Sequence, residues 1–249
     1  MTRVLFAVSG SDHWTLNDGT KHPCGYWPEE LVVPHKIFRD AGFDITVATP
    51  GAVPPTADEA GFAAAANGGS EEPGRRFRAY LETISASLGA PLDLDAADAA
   101  EYDLVFVPGG HGPMEDLATS ARFGALIGAF TAAGKPVSAV CHGPAAFLPA
   151  RDAAGGWLFA GRAVTGFSNE EEAAMGFAAR APWLLEDRLG TSGGRYERAG
   201  AFEAHVVSDG NLHTGQNPAS SAPLAERLVR LSVQGLSFSP AAASRVPRR

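Results

Sequence analysis

Apolar residues along this chain fall into short unbroken runs separated by longer stretches in which they recur every three or four positions. Residues 3–8 (RVLFAV), 44–49 (DITVAT), 102–107 (YDLVFV) and 135–140 (KPVSAV) are such runs, each bounded by Gly, Pro or Asp. The last two are almost continuously apolar, which predicts strands buried on both faces, as in a parallel sheet covered by helices. Between the runs, residues 28–42, 75–89 and 120–134 carry the helical period. The first of these starts at Pro28, sets Leu31, Pro34, Ile37, Phe38 and Ala41 on one side, and ends at Gly42, a residue suited to a helix C-terminus. Pro34 inside the pattern predicts a kink or one lost hydrogen bond. Strand and helix in alternation with short connections predict right-handed βαβ units. The expected fold is therefore α/β, a doubly wound, mostly parallel sheet with helices on both faces.

Two stretches fall outside this pattern. Residues 50–74, rich in Gly, Pro and Ala, show no period and read as a surface loop, and residues 237–249 read as a frayed tail carrying three arginines. No repeat or composition break divides the rest, so residues 1–236 are expected to form a single domain. Of 249 residues, 45% are hydrophobic and 19% charged, proportions of a globular chain. The net charge of -8 gives no reason to expect nucleic acid as a partner. Two cysteines make no disulfide framework, so a cytoplasmic setting is expected. The first apolar run, Val4 to Val8, is too short for a signal-peptide core or a membrane span, and no membrane partner is expected.

Composition thus leaves a small-molecule enzyme open, and one cysteine points to its chemistry. In an open parallel sheet, ligands bind beyond the carboxyl ends of the strands. Cys141 stands at that end of the run 135–140, in Ala139-Val140-Cys141-His142-Gly143. This small-x-nucleophile-x-small pattern parallels the elbow that other α/β enzymes build around serine. An isolated cysteine after a strand is more often a buried structural residue. The adjacent His142 and the following Gly143-Pro144 favour a nucleophile, with the next helix N-terminus expected to lower the thiol pKa. After the run 102–107, Gly109 and Gly110 can point N–H groups into the same space as an oxyanion hole, or can form an ordinary turn. The Walker lysine and the full dinucleotide glycine motif are both missing there, so a phosphate loop is not expected.

These motifs carry a resemblance. GGHG at 109–112, AVCHGPA at 139–145 and the stretch 28–58 resemble the PfpI branch of the class I glutamine-amidotransferase-like superfamily, whose fold is flavodoxin-like. Residues 164–172, 182–189 and 205–221 are similar to its heat-shock-type members, the glutathione-independent glyoxalases (glyoxalase III), also described as chaperones or deglycases. The similarity runs from Val4 to about Leu231. It implies Cys141 as nucleophile with His142 as its neighbour. It further implies Glu30, four residues before Pro34, as the acid that contacts the sulfur, and Glu172 as the acid that orients the histidine.

Read from the residues alone, Glu29 and Glu30 are favourable charges at a helix N-terminus, and Ser168 with Glu170 and Glu171 reads as a helix cap. His111 either touches a ligand or bonds to backbone. Cys24 is read as a bystander rather than a resolving thiol, and His205 and His213 as strand residues flanking a hairpin at Asp209-Gly210-Asn211. Neither an H-E-x-x-H motif nor a C-x-x-C motif nor a close His pair occurs, so no metal and no cofactor are expected. The resemblance implies a small-molecule aldehyde as substrate, methylglyoxal giving lactate through a cysteine hemithioacetal, and relatives of this type are commonly homodimers. The alternatives are a cysteine hydrolase, peptidase or deglycase, and a redox-sensing chaperone. A glutaminase is disfavoured, because neither His205 nor His213 is followed two positions on by Glu.

Overall fold

The computed structural model describes residues 1–234, so the tail expected at 237–249 and the last two positions of the 1–236 unit lie outside the described residues. In chain order the elements are β1 (Arg3–Ala7), a hairpin of β2 (His13–Thr15) and β3 (Lys21–Pro23), α1 (Pro28–Asp40), β4 (Asp44–Thr49), α2 (Glu72–Thr83), α3 (Ser85–Gly89), β5 (Leu92–Asp93) and β6 (Leu104–Val107). They continue with α4 (Gly112–Glu115), α5 (Ala121–Ala132), β7 (Val137–Val140), β8 (Ala163–Val164), α6 (Asn169–Ala174), α7 (Leu185–Thr191), β9 (Arg195–Tyr196), β10 (Val206–Asp209), β11 (Leu212–Gly215) and α8 (Ser221–Val233).

Seven strands form the central sheet in the order β10-β11-β7-β6-β1-β4-β5. Every pairing is parallel except β10 with β11, the hairpin at Asp209-Gly210-Asn211. The apolar runs lack alternation because both faces of the sheet are covered. Val4, Phe6, Leu104 and Phe106 face one layer with Leu31 and Phe38 of α1 and Leu224 and Leu228 of α8. Their neighbours Leu5, Ala7, Val105 and Val107 face the other, with Phe123, Ile127 and Phe130 of α5 and Leu185 and Leu189 of α7. The doubly wound fold expected from the sequence is the fold observed.

Details differ where packing overrides pattern. Helix α1 runs through Pro34 unbroken and ends at Asp40, with Gly42 left-handed at φ 78° and Ala41 exposed rather than on the buried side. Lacking an N–H, Pro34 leaves the Glu30 carbonyl without its helical donor. The helix expected over 75–89 starts three residues earlier and breaks at Ile84 (φ -116°, ψ 13°), whose side chain sinks into the core. Residues 50–74 are more than a surface loop. They form three short 3-10 turns, bury Gly61 and Phe62, and fold over the carboxyl ends of the strands. Among the described residues no helix is long and apolar enough to cross a membrane.

Candidate active site

Chain order reverses direction in the sheet between β1 and β6, and the crevice at the carboxyl ends of such strands is where open α/β sheets bind ligands. The turn after β6 brings Gly109 and Gly110 there, and the turn after β7 brings Cys141. Trp27 donates its N–H to the Gly109 carbonyl at 3.1 Å, which docks the first turn of α1 on the β6 turn and turns Glu30 inward. Both glycines are needed for this contact. A Cβ on Gly109 would lie 2.6 Å from Glu30 Oε2, and one on Gly110, at φ 82°, would lie 2.2 Å from the Gly25 carbonyl oxygen.

Cys141 itself has φ 59°, a left-handed conformation that costs a non-glycine residue energy and is held only by its surroundings. Its N–H donates to the Gly215 carbonyl and its carbonyl accepts from Phe167, both at 2.9 Å, so β11 and the segment before α6 fix the elbow. The helix expected after it is a fully buried 3-10 turn, Gly143–Phe147, too short to supply a helix dipole. His142 Nδ1 lies 3.3 Å from the Cys141 sulfur, and its Nε2 lies 2.7 Å from Glu172 Oε2. The other oxygen of Glu172 sits 2.9 Å from Nε2 of His111, so one carboxylate holds two imidazoles. His111 is in turn stacked on Trp14 at 4.4 Å between ring centres.

Three consecutive glutamates on α6 do three different things. Glu170 is exposed and pairs with Arg198 at 2.7 Å. Glu171 closes the capping box with Ser168, as the sequence predicts. Glu172 is buried against the two histidines. Glu30 is wholly buried, and its Oε2 accepts the Gly109 N–H at 2.8 Å. Its Oε1 makes no hydrogen bond of ordinary geometry, and the other strong interaction of this carboxyl is with the Cys141 thiol. In this structure the Gly109 N–H, one of the two donors the sequence offers for an oxyanion, is bound to Glu30.

Burial governs the charges. It pushes the Glu30 carboxyl well above the usual carboxylate range, against the Cys141 thiol beside it and the hydrogen bond from Gly109, which pull it down. It also raises the Cys141 thiol, and negative charge on Glu30 raises it further, while the Gly110 N–H works the other way. The lowered thiol expected from a helix N-terminus is thus replaced by a coupled pair in which ionising one group opposes ionising the other. Burial would raise Glu172 too, but the charge of His142 and hydrogen bonds from both imidazoles hold it far below its ordinary value. Burial, and His142 beside it, lower His111 below the usual imidazole value, against the pull of Glu172.

Glu30, Cys141, His111 and His142 line a cavity of about 630 Å³ together with Trp27, Phe167 and Phe177, with Glu172 behind the two imidazoles and outside the lining. Nothing in the sequence marks several other lining residues. Asp58, Ala60, Ala63, Ala65 and Ala66 come from the aperiodic stretch 50–74, and His22 from the β2–β3 hairpin. Cys24 is buried in the core, with its thiol raised chiefly by burial, and stands outside the lining. His111, His142 and Glu172 have donor atoms within 4.8 Å of one another, close enough to hold a metal ion, a grouping assembled from three separate segments. Both Nε2 atoms already hydrogen-bond to the carboxylate, and an ion would have to displace those protons.

Residues 25–231 match the model of the DJ-1/PfpI family. The chain belongs to the DJ-1/PfpI family. Within it, the Bos taurus glutamine amidotransferase-like class 1 domain-containing protein 1 is 35% identical over 143 residues, 57% of this chain and 64% of the bovine protein. The match therefore spans a little less than two thirds of that relative's length. Glyoxalase 3 of Candida albicans is 28% identical over 235 residues, 92% of this chain and 98% of that protein. The crystal structure of glyoxalase III from Candida albicans matches with a TM-score of 0.79 at 24% identity, covering 96% of this chain and 98% of that one, a likeness of fold.

Two expectations follow for this DJ-1/PfpI chain. Gly110→Ala combines a left-handed φ with a clash against backbone, and should destabilise the fold by roughly 2–5 kcal/mol in urea unfolding. Glu172, depressed in the folded state, contributes stability that is complete above the unfolded carboxylate value of about 4.3 and is lost as pH falls toward its folded value. Unfolding midpoints of wild type and Glu172→Gln should thus lie farthest apart near neutral pH, begin to draw together below about pH 4.3, and go on converging as pH falls further.

Proposed function

We propose that this protein is a glutathione-independent glyoxalase that converts methylglyoxal-type α-oxoaldehydes into 2-hydroxy acids. The observation that carries the reading is the Glu30 carboxyl, fully buried beside Cys141 with one oxygen free of any ordinary hydrogen bond. Burial favours a proton on Glu30, and a protonated carboxyl can donate to the sulfur, so the one charge the pair carries can rest on Cys141. The Candida relative named for this activity, matched over nearly its whole length, supports the same reading.

The Cys141 thiolate adds to the aldehyde carbon, and the new alkoxide takes the proton held by the Glu30 carboxyl, giving a hemithioacetal. Glu30, now a carboxylate, removes the hydrogen from the former aldehyde carbon and returns it to the neighbouring carbon. An enediol thus becomes the thioester of lactate. Water then cleaves the thioester, releasing lactate and the free thiol. The sum is methylglyoxal plus water giving lactate, with no net oxidation. His142, held by Glu172 with its Nδ1 3.3 Å from the sulfur, is the group we assign to protonate the thiolate that leaves when the thioester is cleaved.

A second reading, a cysteine hydrolase or deglycase, draws on the same Cys141, His142 and Glu172 alignment, which also suits acyl transfer. Against it, the Gly109 N–H is already bound to Glu30 and is not pre-set for a tetrahedral oxyanion. The deciding assay incubates pure protein with methylglyoxal in the absence of any thiol and measures lactate. Lactate formed catalytically supports the glyoxalase. Hydrolysis of peptide or acyl substrates with no lactate overturns it.

A further inference from the structure

The cavity is far larger than methylglyoxal, a molecule of five non-hydrogen atoms, and its composition is one-sided. Among the described residues no lysine or arginine lines it, whereas Glu29, Glu30 and Asp58 do, so a negatively charged substituent finds no counter-ion there. Its outer wall is apolar and includes two large side chains left unusually open to solvent, Phe202 at 48% and Met175 at 41%.

Phe202 is also strained. It is one of three non-glycine residues with positive φ among the described residues, at 62°, and the others are Ala52 and the nucleophile Cys141. A bulky aromatic residue in this region is held there by something. Here the Phe202 N–H donates at 2.8 Å to Oε1 of Glu171, a fully buried carboxylate that also accepts from Asn217 Nδ2 at 2.8 Å. Asn217 grips the same loop through the Glu203 carbonyl at 2.7 Å, and the Ala199 N–H donates to Gln216 Oε1 at 2.9 Å. The loop is thereby tied to the end of β11 and to the start of α6, the helix that carries Glu172. The Phe202 ring meets Phe167 edge-on at 6.4 Å, and Phe167 lies 4.6 Å from the His142 imidazole. An unbroken line of rings thus runs from the catalytic histidine to the cavity mouth.

We infer that Phe202 is a specificity-determining residue, strained into place so that its ring forms the apolar outer wall for the substituent of an uncharged α-oxoaldehyde bulkier than methylglyoxal. The inference rests on the glyoxalase reading above. The carbonyls would sit at Cys141 and Glu30, and an aromatic or branched aliphatic group would extend outward along Phe167 to Phe202. Such a group buries apolar surface that a methyl group cannot reach.

The test compares phenylglyoxal with methylglyoxal as substrates for wild type, Phe202→Gly and Phe202→Leu. Glycine adopts φ near 62° without strain, so the loop keeps its path while the ring is lost. The expected result is that the phenylglyoxal-to-methylglyoxal ratio of kcat/KM falls at least tenfold in Phe202→Gly. The loss should appear mainly in KM for phenylglyoxal, and Phe202→Leu, which keeps apolar bulk, should restore part of the ratio. An active wild type whose substrate ratio stays within twofold in both variants overturns the inference and leaves the glyoxalase reading standing. A wild type inactive on both aldehydes overturns the reading, and the inference with it.

Discussion

Cys141→Ala should leave no measurable formation of lactate from methylglyoxal. The expected loss exceeds the roughly 10²–10⁴-fold that removal of an acid or base costs, because the covalent route disappears rather than slows. No second thiol can take over. Cys24, the other cysteine, is packed in the core, stands outside the cavity lining, and has its thiol raised by burial, which opposes the reactive thiolate. The elbow should survive the change, since alanine is no bulkier than cysteine and the backbone bonds to Gly215 and Phe167 remain. Lactate assays alongside thermal unfolding separate lost chemistry from lost fold. Wild-type turnover by Cys141→Ala would mean that the strained elbow serves another purpose.

Glu30→Gln should be nearly as damaging to turnover while having the opposite effect on the thiol. The amide oxygen can still accept the Gly109 N–H, and the amide nitrogen can donate toward the sulfur. Negative charge on Glu30 raises the Cys141 thiol, and glutamine removes that charge for good, so the thiolate should form at a lower pH. Alkylation of Cys141 in a pH series should therefore have its midpoint at or below that of wild type. Lactate formation should fall by at least the roughly 10²–10⁴-fold of a lost proton carrier. Parallel losses of alkylation and turnover would show instead that Glu30 only supports the fold.

Much of this site is legible in the sequence, for reasons that lie in the residues. Strands β6 and β7 read as buried because Val105 and Phe106, like Ala139 and Val140, face opposite layers, and only a sheet covered on both sides demands that. Cys141 stood out because a cysteine between small residues at a strand end matches a turn that few residues tolerate. What the sequence could not show was the effect of burial on charge. Nothing local distinguishes Glu30 from Glu29, and what separates them is the contact of Trp27 with the Gly109 turn. The same contact takes the Gly109 N–H away from any oxyanion and makes the cysteine one half of a coupled pair rather than an acidified thiol. The stretch 50–74 looked like a loop because it has no period, yet a wall of alanines needs none to line a cavity. Phe202 carried no signal at all, since its strain is imposed by Glu171, thirty-one positions away in the sequence.

The proposed reaction divides the labour, with Cys141 forming the covalent bond and Glu30 moving the carbon-bound proton. Intact-mass spectrometry of Glu30→Gln incubated with methylglyoxal tests this most directly. The variant should gain the mass of one methylglyoxal, peptide mapping should place it on Cys141, and the adduct should persist while no lactate appears. A Glu30→Gln protein that stays unmodified, or one that releases lactate at the wild-type rate, would contradict it.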